Sequence, residues 1–183
     1  TDIQGGPPGS VATLRDSTEL RALSGRAEVA RERLDMLYDA TVGIGTSLDV
    51  TRTAEELAEL AVPRFADFAT VDLFDAVLSG GQPEAATTLR RTALSGIRED
   101  APLYKVGERI PLVDSAPQAR GISSGRAVLE PRLAEATGWH AQDRERSAHV
   151  MEYGIHSLIA VPLRAGSLVL GTVSFWRSDK PQP

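Results

Sequence analysis

The chain has 183 residues, a formal net charge of −5 and no cysteine, with 42% hydrophobic and 25% charged residues, the balance of an ordinary globular domain. The missing thiols exclude disulfides, zinc–thiolate centres, iron–sulfur clusters and thiol-linked tetrapyrroles. The acidic balance and the lack of any basic run exclude the electrostatic footprint of nucleic-acid binding. No apolar run approaches the roughly 18 residues of a membrane helix. The N-terminus also lacks the basic-then-apolar pattern of a secretion signal, so the expected location is the cytoplasm, with no membrane partner.

Residues 1–19 begin TDIQGGPPGS, rich in glycine and proline with almost nothing to bury, and read as linker or disordered chain. From Leu20 a heptad stripe runs through Leu23, Ala27, Ala30, Leu34, Leu37, Thr41, Ile44 and Leu48, with Arg26, Glu28, Arg31, Glu32, Arg33 and Asp35 between. Residues 20–48 are therefore expected to form a signalling helix, weakened at Gly25 and ended by Gly43 and Gly45. Leu20, Leu23, Ala27, Ala30, Leu34 and Leu37 are the expected dimerisation seam of a homodimeric coiled coil. For Leu34 to Ile44 a second reading stands, in which the stripe packs on the domain's own core.

The domain proper is expected over residues 49–183. Thr53-Ala54-Glu55-Glu56 is a capping box that opens a helix running to about Pro63. Ala69, Val71 and Leu73 alternate with Thr70, Asp72 and Phe74, the period of a half-buried strand. A glycine turn leads to a partner strand from Thr87 to Ser95, and a short strand follows near Arg109. Ser115-Ala116-Pro117-Gln118 is a second capping box opening a short helix that Gly125 ends. A brief strand from Ala127 to Glu130, a loop containing Trp139 and His140, and a charged helix from Ala141 to Tyr153, ended by Gly154, come next. Strands from Ser157 to Leu163 and Ser167 to Trp176 finish as a hairpin at the edge of the sheet. Helix, helix, strand, strand, short helix, strand, helix, strand, strand is an α+β order, with a central antiparallel sheet and helices on one face.

The closing segment Ser157 to Leu163, then Gly166 and Val169 to Val173, resembles the paired C-terminal strands of GAF domains, which are related to PAS domains. Ser115 to Pro131 is similar to the short helix, glycine and strand of that family. Thr46 to Leu57, Phe65 to Leu73, Glu152 to Ser157 and Ser174 to Arg177 look narrower still. They resemble the GAF domain of actinobacterial PPM-type serine phosphatases of the SpoIIE/RsbU-like group. The resemblance implies a non-catalytic sensory domain beside a phosphatase output domain in the parent chain. It also implies a final helix, for which nothing follows Pro181-Gln182-Pro183.

Catalytic chemistry finds little purchase. The GxSxG letters occur once, at Gly121-Ile122-Ser123-Ser124-Gly125, but inside the expected short helix and not on a strand-to-helix turn, so no nucleophile elbow is expected. Gly43-Ile44-Gly45 lacks the rest of a dinucleotide site. Asp72 and Asp75 fall on opposite faces of one strand. His149 and His156 lie seven apart, not at the spacing of a helical metal pair, so no metal site is expected. His149 is the best candidate for a haem ligand in the less favoured haem-sensor reading. Cyclic-nucleotide recognition has no visible asparagine–lysine–phenylalanine motif. GAF domains hold their ligand between the sheet and the loops and short helices crossing it. On this chain that implies Phe74, Arg91, Tyr104, Arg120, Trp139, His140 and Tyr153 as pocket candidates. Aromatics and arginines there suit a small, partly anionic ligand. Alternatively Phe74 and Tyr153 are plain core, Arg120 is solvated, and the domain is a structural dimerisation module with a filled pocket.

Overall fold

A computed structural model describes residues 25–26, 28–35, 49–80 and 88–179. The chain divides into two units, residues 1–42 and 43–183. In the first, residues 25–26 and 28–35 are helical, and Ala30 and Leu34 of the heptad stripe are exposed. Leu20, Leu23, Ala27 and Leu37 of the expected seam, the stops Gly43 and Gly45, and the chain after Asp179 lie outside the described residues. Among the described residues no helix is long and apolar enough to cross a membrane.

The second unit opens with α1 (Val50–Ala61), its N-cap Asp49 four residues earlier than the capping box at Thr53 predicts. Asp49 takes the capping role, its carboxylate accepting from the Thr51 N–H at 2.8 Å. The Thr53 hydroxyl instead donates back to the Asp49 carbonyl at 3.0 Å from inside the first turn. Six strands then form one antiparallel sheet: β1 (Phe68–Phe74), β2 (Thr88–Gly96), β3 (Arg109–Pro111), β4 (Val128–Glu130), β5 (Ile155–Ala165) and β6 (Leu168–Ser178). Their spatial order is β3-β2-β1-β6-β5-β4. The β5–β6 hairpin is thus interior rather than the edge that the sequence suggests. β4 pairs outside it, Val128 opposite Ala160, and β6 lies against the central β1.

All seven residues of β1 are buried, where simple alternation predicts only one covered face. On one side Ala69, Val71 and Leu73 meet Ala54, Ala58 and Ala61 of α1, small residues that let helix and sheet approach closely. On the other side Phe68 joins Leu158 and Trp176 beneath Leu133, Trp139 and Val150. That second layer consists of α3 (Pro117–Ser124), a 3₁₀ turn at Leu133–Glu135, α4 (Thr137–Gln142) and α5 (Arg144–Tyr153), with a short α2 (Asp75–Leu78) following β1. Asp75 therefore heads a helix instead of continuing the strand. Gly125 (φ 67°) and Gly154 (φ 100°) end α3 and α5 in the left-handed conformation, as their positions in the sequence predict. The segment around Trp139, read as a loop, is helical, and the charged helix is broken at Asp143, which caps α5.

Candidate functional site

The second layer leaves a cavity of about 40 Å³ over the sheet. Its floor is Asp72 of β1, Leu89 and Arg91 of β2, Ile110 of β3 and Trp176 of β6. Its walls are Leu103 and Tyr104 from the β2–β3 connection, Gln118 of α3, Trp139 and Gln142 of α4, and Asp143, Arg146, Ser147 and Val150 at the start of α5.

The floor depends on a bulge. Val71 pairs with Ala93 but Asp72 pairs with Arg91, so Thr92 is the extra residue and Arg91 turns to the same face as Asp72. Arg91 Nε donates to Asp72 Oδ1 at 2.5 Å, its Nη2 reaches Oδ2 at 3.4 Å, and Nη1 donates to the Tyr104 carbonyl at 2.6 Å. Both charged residues are essentially buried, Asp72 at 2% and Arg91 at 3% exposure. Burial pushes the Asp72 carboxyl above its ordinary range, and the charge and hydrogen bond of Arg91 work against that rise. The pair is a fork-to-fork contact of the kind a dry site requires.

The rim is a second polar network. The Tyr104 hydroxyl donates to Asp143 Oδ2 at 2.8 Å, and Asp143 Oδ1 accepts from the Arg146 N–H at 3.0 Å to cap α5. The Arg146 guanidinium lies 3.9 Å from the Tyr104 ring centroid, a cation–π contact, and 3.6 Å from Glu108. Burial, then the Asp143 carboxylate, push the Tyr104 hydroxyl from 10.0 up to about 12. Because the folded value lies above the unfolded one, the stability tied to the neutral phenol is fully present below pH 10. It is lost as pH rises through about 12. Absorbance titration of the phenolates is expected to show a step near pH about 12 that Tyr104→Phe removes. A Tyr104 step at pH 10 instead means that its hydroxyl is free of Asp143.

Two groups are not matched: Arg146 Nε is buried 3.5 Å from Asp143 Oδ2 with no hydrogen-bond partner among the described residues, and Gln118 likewise stands apart. Its side chain is 94% buried (6% exposed), and its Oε1 is buried without a hydrogen-bond donor among the described residues.

No protein-family model matches the chain, and no curated protein matches it in sequence. The solved structures tell more. A GAF domain from the phosphoenolpyruvate-protein phosphotransferase of Coxiella burnetii superposes with a TM-score of 0.61 at 12% identity, covering 81% of this chain and 79% of that one. The GAF domain of A. aeolicus nlh2, in an inactive state, gives 0.57 at 11% identity, with 83% of each chain covered. The free methionine-R-sulfoxide reductase of Neisseria meningitidis, solved with its substrate, gives 0.57 at 15% identity over 84% of this chain and 79% of that one.

The chain has a GAF fold. Of the pocket candidates drawn from the sequence, this GAF structure brings Arg91, Tyr104 and Trp139 together around one cavity. Phe74 packs with Leu89 and Ile110 in an apolar cluster beside it. Arg120 points outward into an ion pair with Glu130. His140 stacks edge-on against Trp139 from outside, 5.1 Å between centroids, with Nε2 3.3 Å from the Ala134 carbonyl. Tyr153 packs on Phe68 and donates to Asp100 at 2.7 Å; Arg98 first, then this hydroxyl, hold the Asp100 carboxyl down at about 2. The other lining residues escaped the sequence reading, among them Asp72, Gln118, Asp143 and Arg146. Asp72 left one signal, a carboxylate inside an otherwise apolar strand. Gln118 was hidden by the apparent capping box. In the GAF structure the α3 N-cap is Ala116, one residue later than Ser115, so Gln118 does not reach back to the cap and is buried instead.

His149, the candidate haem ligand, is exposed on α5, and His156 lies 3.6 Å from Asp179 at the surface. Among the described residues no group of histidines and carboxylates is arranged to hold a metal ion. A volume of about 40 Å³ is room for a few water-sized groups and far less than a haem needs.

Proposed function

We propose that this GAF domain is a non-catalytic sensory module of a multidomain bacterial signalling protein, reading out through a PPM-type serine/threonine phosphatase domain in the parent chain. The observation that carries the sensory reading is the cavity itself. It is floored by a fully desolvated Asp72–Arg91 pair, rimmed by the Tyr104–Asp143–Arg146 network, and leaves Gln118 unmatched. A protein that needed only a filled core gains nothing from a buried unpaired amide. The phosphatase output rests on the resemblance of Thr46–Leu57, Phe65–Leu73 and Ser174–Arg177 to the GAF domains of those enzymes. The homodimer rests on the heptad stripe, of which Leu34 is 66% exposed and available to a partner helix. A ligand shifts a dimer between two arrangements only by its difference in affinity for them, so cavity and helix would act as one equilibrium.

The fold also supports a reductase in Neisseria meningitidis. In these 183 residues there is no cysteine to supply thiol electrons, so thiol-based sulfoxide reduction is not open to them. The small cavity volume favours one other reading, a structural dimerisation module whose pocket stays closed. Native mass spectrometry of freshly expressed protein separates the two. The sensory reading expects a dimer carrying a small co-purified mass, or gaining one from a cell extract of small metabolites. A dimer that takes up nothing supports the structural module. A monomer at high concentration with residues 20–48 present overturns the seam.

A further inference from the structure

We infer that, on the reading of this cavity as the sensing site, its ligand is a small uncharged molecule with an N–H donor and an apolar end, a simple carboxamide, held through Gln118. Apart from Arg146 Nε, the charged groups around the cavity are engaged within the protein. Arg91 directs Nε and Nη2 at Asp72 and Nη1 at the Tyr104 carbonyl. Asp143 accepts from the Tyr104 hydroxyl and the Arg146 backbone, and Arg146 covers the Tyr104 ring beside Glu108. Asp72 and Asp143 offset Arg91 and Arg146, so the lining has no net charge to attract an ion. Arg146 Nε, buried with no hydrogen-bond partner among the described residues, is a donor that a carboxamide carbonyl satisfies as well as an anion does. An anion, however, brings no N–H for Gln118 Oε1 and adds negative charge beside Asp143.

Besides an acceptor for Arg146 Nε, what the cavity lacks is a donor for Gln118. Its carbonyl oxygen is buried with no donor among the described residues, a deficit that a ligand N–H removes. Because a carboxamide presents donor and acceptor side by side, another amide is its natural complement. Trp139, Trp176 and Val150 supply the apolar remainder of the wall. The volume of about 40 Å³ limits the occupant to a few heavy atoms. The expectation of an anionic ligand, raised by arginines in the sequence, gives way because Arg91 is held by Asp72 and the Tyr104 carbonyl and an anion offers no donor to Gln118.

The two tryptophans of the chain both line the cavity, so their indole N–H resonances report on it directly. The test titrates the ¹⁵N-labelled full chain with acetamide, sodium acetate and sodium nitrate at constant ionic strength. Acetamide is expected to shift both indole signals saturably in the millimolar range, the reach of so small a ligand. Acetate, of nearly the same shape, and nitrate are expected to leave them in place. Gln118→Met, unbranched and of similar length, is expected to weaken acetamide about tenfold with no loss of thermal stability. Acetate or nitrate binding as tightly as acetamide, or an unchanged acetamide affinity in Gln118→Met, overturns the ligand class while leaving a sensing cavity in place. If none of the three moves the indoles and native mass spectrometry finds no bound mass, the sensory reading itself falls. Should Gln118→Met not fold, the comparison of acetamide with acetate on the unaltered chain still decides.

Discussion

Arg91→Met is expected to destabilise the domain by about 3–5 kcal/mol, the range found when one partner of a buried ion pair is removed. The cause lies less in the attraction lost than in what remains. Asp72, 2% exposed at the centre of the sheet, would keep a carboxylate with no counter-charge, and the Tyr104 carbonyl would lose its donor. Both lie between the sheet and the helical layer, where the small cavity admits at most a few waters in place of the guanidinium. Asp72→Leu alone should cost a similar amount, since it strands the arginine. Asp72→Leu combined with Arg91→Met should recover most of the loss, because two apolar side chains of similar volume need no partner. Urea denaturation of the four proteins in the cycle measures this. A loss under about 1 kcal/mol for Arg91→Met would show a solvated pair of the surface kind.

Gly171→Ala is expected to be nearly as severe, at about 3 kcal/mol or more, for a steric reason. A Cβ on Gly171 would overlap the Asp72 carbonyl oxygen and sit 2.8 Å from Leu73 Cα and 3.0 Å from the Asp72 carbonyl carbon. All three obstacles are backbone, so no rotamer can relieve them. The strands must part where β6 pairs with β1, Leu73 opposite Gly171 and Asp72 opposite Thr172. The damage would therefore reach Asp72 and the cavity floor. Gly166→Ala is the control. That turn glycine (φ 61°) has open space around its missing side chain, and it should cost only the left-handed backbone term, about 1 kcal/mol. Denaturation midpoints compare the two directly. Equal costs at both positions would mean that β1 and β6 are not in the close contact described here.

Much of the GAF architecture is local enough to be legible in the sequence. β2 and the closing hairpin lie within two residues of the segments that alternation and turn glycines marked out. Gly125 and Gly154 end their helices as their spacing predicts. The misses share one cause. Asp49 outcompeted Thr53 for the α1 cap, and Ala116 displaced Ser115 at α3, because several neighbouring residues could serve and packing chose among them. The α3 shift by one residue decided where Gln118 lies. Its burial, and with it the chemistry of the cavity, was invisible to a capping-box pattern.

By itself the sequence determined an α+β chain without thiols, its main strands, and the glycines that stop its helices. These follow from periodicity, caps and turn geometry, which act across three or four residues. The tertiary structure alone decided that β4 rather than the hairpin forms the edge, that both faces of β1 are covered, and that a bulge at Thr92 sets Arg91 opposite Asp72. It also joined Tyr104 to Asp143 across 39 positions of chain. The physical reason is that a charge becomes buried, and a side chain gains or lacks a partner, only through contacts between distant segments. No local pattern encodes those contacts.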